Sequence, residues 1–388
     1  MGSKSPKTVH LFHDEDQMNL AKRKRGDRST PGAARIYVCH TYYHVYVSFL
    51  KELNLPKERR GEATLVLSLM STDFEDLKAR VKQSGIFLDV LEYDEKRDDF
   101  FPQLQKWRKN KQSLLKNLYQ RIRFTRRFAK LQAAYIPVDF RRFDDIYVFC
   151  DSDPIGYYLN QYRIYYHALE DGLDSVKNCD TARFDNRGHF ALKAKLSMKW
   201  NLIFIQNGYG KYCLDMEVND IRSITHPCPR YIEQPIQALV DALHQTDKEL
   251  MLRVFVRDFE RLYEQLKTLT GEEKKILILT DPLCTLDIRE QIFRDIIAMY
   301  ETEGMIFLKP HPRDSLDYRN LFSQITQFDA TMPMEMFHFF PGICFDKAVG
   351  VLTEMKGIKF AKETVRLGPD FMDRYEDPLI HRQNEQIY

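Results

Sequence analysis

Many common sequence signatures are missing from this chain, and each absence narrows its class. The seven cysteines, at 39, 150, 179, 213, 228, 284 and 344, include no CxxC pair and no metal-ligand spacing. An odd, scattered set argues for reduced thiols in a cytosolic setting and against a disulfide framework. No stretch approaches about 18 consecutive apolar residues, so no transmembrane helix is expected. Residues 1–34 are polar and lack the apolar stretch of a secretory signal; they read as a flexible extension whose KRKR run at 22–25 suits a solvated tail better than a nuclear signal. Net charge is also small: 58 Lys and Arg against 56 Asp and Glu. The whole molecule therefore has no general attraction for nucleic acid, and any basic surface must be local. A GxGxxG after a strand, a GxxxxGK[ST] loop, GxSxG and HExxH are all absent. Dinucleotide binding, P-loop chemistry, the serine-hydrolase elbow and the zincin site are correspondingly disfavoured.

What is present is an alternation of short apolar runs with amphipathic stretches. ARIYVC, ATLVLSLM and IFLDVLEY (from 34, 63 and 86) read as strands, with TDFEDLKARVKQ between the last two as a helix capped by Thr72 and closed at Gly85. DDIYVFC and YRIYYHAL continue the pattern, and it restarts near 271 with ILILTD, LDIREQIFRDIIAMY, MIFLK and AVGVL. Strand and helix in this rhythm predict an α/β chain with parallel sheets. The expected division is a Rossmann-like half over 35–185, a connecting helical region over 186–270 and a second half over 271–388. Ligands of such sheets bind beyond the carboxyl ends of the strands, where several polar clusters fall, so a cleft between the halves is expected.

Three clusters carry possible chemistry. DSD, residues 151–153, resembles a DxD motif in which Asp151 and Asp153 would hold a divalent cation against a nucleotide diphosphate; the same residues also suit a loop or helix cap. Glu170, Asp171 and Gly172 end a strand, either as a general base with an acceptor carboxylate or as a glycine turn. In KPHPR, two prolines fix the backbone around His311. Lys309 and Arg313 could bind an anion, and beside a bound phosphate an imidazolium is stabilised. A stiff surface turn is the alternative. Residues 101–142 are rich in Lys, Arg and aromatics, which suits a solvated helix face or contact with an anionic membrane or glycan. No RRM, KH or zinc signature supports nucleic-acid readout.

With the EDG and KPHPR elements in order, the chain resembles the bacterial sialyltransferases of glycosyltransferase family 52, the lipooligosaccharide group. IYVCHTYYHVYVS, YYHALEDGLDS, MEVNDI, ILTDPL, FLKPHPRD and MPMEM…AVGVLTEM carry the likeness, from about residue 35 onward. The resemblance implies a GT-B-like fold of two Rossmann-type halves facing a central cleft. It implies inverting, metal-independent transfer from a CMP-sugar, usually CMP-sialic acid, to a surface glycan such as lipooligosaccharide or capsule, with no cofactor. A homodimer goes with it; should the acceptor be lipid-linked, the basic segment 101–142 would suit peripheral contact with an anionic membrane, and the scattered thiols suit a cytoplasmic location.

Carried onto this sequence, His311 would assist departure of CMP as general acid or hydrogen-bond donor, with Lys309, Pro312 and Arg313 around the phosphate. Asp287 is the first choice of base, Asp281 the alternative from the same loop, and Asp171 the analogue in the wider sialyltransferase pattern. Pro333 and Glu335 would hold the nucleoside. Thr353 stands where relatives place phosphate-binding serines, although Glu354 beside it departs from that pattern. Thr41, Tyr42, His44, Glu170 and Gly172 would lie on the acceptor side. Asn219 matches a family position without an assigned role. Two competing readings are a metal-dependent UDP-sugar transferase through Asp151 and Asp153, and a non-enzymatic binding protein acting through 101–142.

Overall fold

A computed structural model describes residues 34–380 apart from 110, 150, 152–153, 172–185, 225–226, 269–272, 354 and 356. The expected N-terminal extension, Asp153, Gly172 and Glu354 therefore lie outside the described residues. The chain forms two compact units. The first holds residues as far as His44, Lys51–Phe74 and Gly85–Asp241; the second holds Val45–Leu50, Glu75–Ser84 and Ala242 onward.

The first unit is built on a seven-stranded sheet in the order β3-β2-β1-β4-β5-β6-β7. Its strands are β1 Arg35–Cys39, β2 Ala63–Ser68, β3 Phe87–Tyr93, β4 Asp145–Phe149, β5 Tyr166–Leu169, β6 Cys213–Val218 and β7 Tyr231–Glu233. All neighbours pair in parallel, with Ile36 opposite both Thr64 and Ile146. Every residue of β1 and β2 is buried. Helices covering both faces of a parallel sheet explain why these strands read as continuous apolar runs. The first helix, Tyr42–Leu53, is tied back to β1 by an internal ion pair in which Arg35 Nε and Nη2 each donate to the Glu52 carboxylate at 2.9 Å.

The second unit has a five-stranded parallel sheet, β10-β9-β8-β11-β12. These are β8 Lys275–Leu279, β9 Met305–Lys309, β10 Thr326–Gln327, β11 Phe345–Gly350 and β12 Ala361–Arg366. The helix Leu286–Tyr300 packs Ile292, Phe293 and Ile296 onto Ile276, Ile278 and Leu308 of the sheet. In each sheet the strand order runs outward in two directions from a central strand, with a switch point between β1 and β4 in one and between β8 and β11 in the other. Such points open the crevices where α/β sheets place ligands. Two Rossmann-type α/β halves, each built on its own parallel sheet, are thus present.

Two local readings change. Thr72 does not cap the second helix, which runs Leu77–Gln83; its hydroxyl donates instead to the His40 carbonyl at 2.8 Å. A long-range partner outcompetes the local cap. Residues in the expected connecting region supply β6 and β7, so the first sheet extends past residue 185. Among the described residues, no helix is long and apolar enough to cross a membrane.

Candidate active site

The second unit gathers most of the expected residues at the carboxyl ends of β8, β9 and β11. Past β9 the chain turns at Pro310, and the His311 N–H donates to Thr280 Oγ1 at 3.0 Å. The Arg313 N–H then donates to His311 Nδ1 at 3.1 Å. With Nδ1 occupied as acceptor, the neutral ring carries its proton on Nε2. Among the described residues no acceptor is bonded to that Nε2–H. Burial, together with the Arg313 and Lys309 charges, pushes the imidazole down to about 4. At neutral pH His311 is therefore a neutral donor aimed by two backbone contacts. Pro312 and Arg313 beside it are exposed.

A buried pair holds this loop from behind. Arg289, on the helix after β8, pairs with Asp314, whose side chain is wholly buried. Asp314 also accepts from Tyr318 Oη at 2.7 Å and from the Leu316 N–H at 3.1 Å. Arg289 further donates to the Cys284 carbonyl at 2.7 Å. The β8 and β9 loops are thus fixed to each other. None of Thr280, Arg289 or Asp314 was picked out by sequence, although Asp314 directly follows the KPHPR motif.

Lys309 points inward. Its ammonium donates to the carbonyls of Pro310 at 2.7 Å and Ala330 at 3.0 Å, and burial lowers it to about 8. It fastens the end of β9 to the loop after β10, with Asp329 and Glu335 as the carboxylates that support its charge. Glu335 follows Pro333, the buried residue that opens a 3-10 turn, and burial raises its carboxyl above the usual range against the pull of Lys309.

The three candidate bases differ sharply. Asp281 is a clamp: it accepts from the Leu352 and Thr353 N–H groups, each at 3.1 Å, and from Thr353 Oγ1 at 2.8 Å. That contact bridges the β8–β11 switch point and also occupies Thr353. Burial raises Asp281 despite those bonds. Asp287 is open, in the first turn of the helix Leu286–Tyr300, accepting from Thr285 Oγ1 at 2.5 Å. The Thr285 hydroxyl and first-turn N–H groups hold it below the usual range.

Asp171 lies in the first unit, past β5, and accepts from His44 Nε2. His44 is fixed in turn, its Nδ1 accepting the His40 N–H at 2.9 Å and its ring stacked on Phe149 at 4.3 Å. Burial lowers His44 even though Asp171 pulls the other way.

Around that pair the first unit is tightly wired. Thr41 Oγ1 accepts the His44 N–H at 3.2 Å, and Tyr42 is buried against Phe74. Glu170 accepts the Asn219 N–H at 2.7 Å, and burial raises its carboxyl. The Asn219 side chain accepts the Ile236 N–H at 2.9 Å, which gives that position a structural role. Glu95, unremarked in the sequence, is fully buried and takes three donors: His40 Nε2 at 2.7 Å, Ser68 Oγ at 2.8 Å and the Ile155 N–H at 2.7 Å.

Asp151 does not sit as a metal ligand would. It is buried, accepting from the Gly208 N–H at 3.3 Å, the Asn207 N–H at 2.5 Å and Tyr166 Oη at 3.1 Å. A carboxylate used to hold an inner turn is badly placed to share a cation with a diphosphate. No group of three or more His, Cys, Asp or Glu that could hold a metal occurs among the described residues.

The family model for glycosyltransferase family 52 matches residues 85–341. A search of curated protein sequences gives no match. Among solved structures the chain is similar to an α/β-galactoside α-2,3-sialyltransferase from the luminous marine bacterium Photobacterium phosphoreum, at 12% identity and TM-score 0.46, covering 82% of this chain and 85% of that one. A sialyltransferase from Photobacterium damsela follows at 10% identity and TM-score 0.47, with coverage of 82% and 70%. UDP-GlcNAc 2-epimerase from Neisseria meningitidis, bound to UDP-GlcNAc, is similar at 11% identity and TM-score 0.38, with coverage of 82% and 77%.

Proposed function

The chain belongs to glycosyltransferase family 52, and on that premise we propose that this glycosyltransferase moves sialic acid or a related sugar from a CMP-sugar to a hydroxyl of a surface glycan such as lipooligosaccharide or capsule. The observation that carries the reading is His311, held by Thr280 and Arg313 so that its Nε2–H is presented at the end of β9. The acceptor oxygen attacks the anomeric carbon as the bond to the CMP phosphate oxygen breaks. The acceptor proton passes to a carboxylate, and the phosphate leaves as CMP with His311 donating to its new charge. Arg313 adds a cation at the same loop. Lys309 acts from behind, by fixing the loop. Configuration at the anomeric carbon inverts in this single displacement, and no metal is required by it.

Asp287 is the proposed base. It is open, ionised at neutral pH and carried by the same unit as His311. Asp281 is excluded from that role by its commitment to Thr353 and Leu352. A second reading gives the role to Asp171, favoured by the His44 Nε2–H that orients its carboxylate.

The direct test incubates the purified chain with CMP-sialic acid and a galactose-terminated acceptor and follows CMP release, with and without EDTA. Acceptor-dependent release that survives EDTA is expected. Turnover of UDP-sugars alone, abolished by EDTA, would overturn the reading.

A further inference from the structure

The loop after β8 and the loop after β9 meet on one side chain. Arg289 lies in the first turn of the helix Leu286–Tyr300 and is only 6% exposed. A cation there opposes the helix dipole and gives up its water, so specific acceptors have to hold it. Nε donates to the Leu283 carbonyl at 2.5 Å and Nη2 to the Cys284 carbonyl at 2.7 Å, while Nη1 pairs with the buried Asp314 carboxylate.

The two ends of this contact lead to the two proposed reacting groups. Cys284 has a φ of 37°, a left-handed conformation that a residue other than glycine keeps only where its surroundings enforce it. Thr285 follows with extended backbone, opens the helix and binds Asp287 through its hydroxyl. The direction in which Asp287 leaves the loop is therefore set at Cys284. On the other side, the Asp314 N–H donates to the His311 carbonyl at 2.9 Å, closing a four-residue turn with Pro312 second in it. The Asp314 carboxylate also accepts at 3.4 Å from Thr280 Oγ1, the atom that takes the His311 N–H.

We propose that Arg289 is a positioning residue for the transfer reaction, setting Asp287 and His311 in register through the loops that carry them. The inference rests on the roles given to those two residues above. A plain ion pair for the interior fits less well. A lysine could neutralise Asp314, whereas gripping two carbonyls at a strained corner as well takes the planar fork of a guanidinium.

The test is a double-mutant cycle on Arg289→Lys, which keeps the charge and loses the fork. Alone it should lower kcat for acceptor-dependent CMP release about 10- to 100-fold, as a misplacement of about 1 Å does, with the donor KM within about twofold. In the His311→Ala and Asp287→Asn backgrounds the same change should cost less than about threefold, because groups that act as a unit are not lost twice. Adding Cys284→Gly to Arg289→Lys should return part of the lost kcat and protect the fold, since glycine takes that φ without strain. Wild-type turnover by Arg289→Lys would overturn the inference. So would a loss that multiplies in full in both backgrounds, which would make Arg289 a support of the fold alone. Either result leaves the roles of His311 and Asp287 standing. Near wild-type turnover by His311→Ala would instead break the reading beneath, and the inference with it.

Discussion

In each unit one histidine after a strand has a ring Nδ1 that accepts a backbone N–H: His44, in the first turn of the helix after β1, from His40, and His311, two residues past β9, from Arg313. The other nitrogen separates them. His44 gives its Nε2–H to Asp171 and lies flat on Phe149, so its hydrogen-bonding capacity is satisfied inside the protein. His311 has the same tautomer with its donor left for a ligand. One framework, a ring aimed by backbone, thus leaves a donor spent inside the protein in one place and, on the reading proposed above, offered to the leaving phosphate in the other; the difference lies in what stands at the far side of the ring.

The sharpest way to break that comparison is to remove each ring. His311→Ala should cost about 10² to 10⁴ in kcat for CMP release, with little change in Tm, because its loop is fixed by Thr280, Asp314 and Arg289. His44→Ala should do the reverse. Losing a buried, stacked ring costs about 2–4 kcal/mol of stability by chemical denaturation, with a smaller effect on turnover. Equal activity losses from both would mean that Asp171, oriented by His44, is the base.

The carboxylates sharpen the same point. Asp287→Asn should lower kcat by about 10² or more while leaving Tm near wild type, as suits an exposed side chain. Asp281→Asn should show chiefly as a lower Tm, since it weakens the clamp to Thr353. If Asp171→Asn abolished transfer and Asp287→Asn did not, the proposed base would be wrong.

Next in size comes Glu95. Glu95→Ala strands the His40, Ser68 and Ile155 donors in the interior, at a cost of about 3 kcal/mol or more in unfolding experiments. The effect should reach His44 indirectly, because Glu95 holds the residue whose N–H aims that ring. A neutral result would show that water replaces the carboxylate.

These residues also mark where the sequence was legible. Strands buried on both faces, such as RIYVC and KILIL, leave a continuous apolar run that can be read locally. KPHPR could be read because its prolines and charges lie side by side. Glu95 could not, since it sits in a polar turn and meets partners 27 to 60 residues away. His44 and Asp171 are separated by 127 positions, so each was named on its own and their pairing was not. Lys309 was read as a phosphate ligand because of its neighbours in sequence; its inward turn toward the Ala330 carbonyl depends on a loop that local pattern does not specify.

The smallest expected effects are titrations, and they distinguish the histidines by sign. His311 and His44 both sit below the ordinary histidine value, His311 at about 4, because burial disfavours their charged forms. In the unfolded chain both protonate near 6.5. Their contribution is therefore intact above about 6.5 and declines as pH falls below it, where the unfolded state takes up protons first; for His311 the decline runs down to about 4. His167 behaves in the opposite way: burial pushes it down, but hydrogen bonds to Asp145 and Asp215 more than reverse this, to about 9. It stabilises fully below about 6.5 and loses that contribution as pH rises through 9. Ring-proton NMR should resolve all three. Adding CMP should then raise only His311, since a bound phosphate favours the imidazolium that Arg313 and Lys309 otherwise oppose. If CMP bound but left the His311 titration at about 4, the ring would not be facing the phosphate, and its likeness to His44 would extend to function as well as to frame.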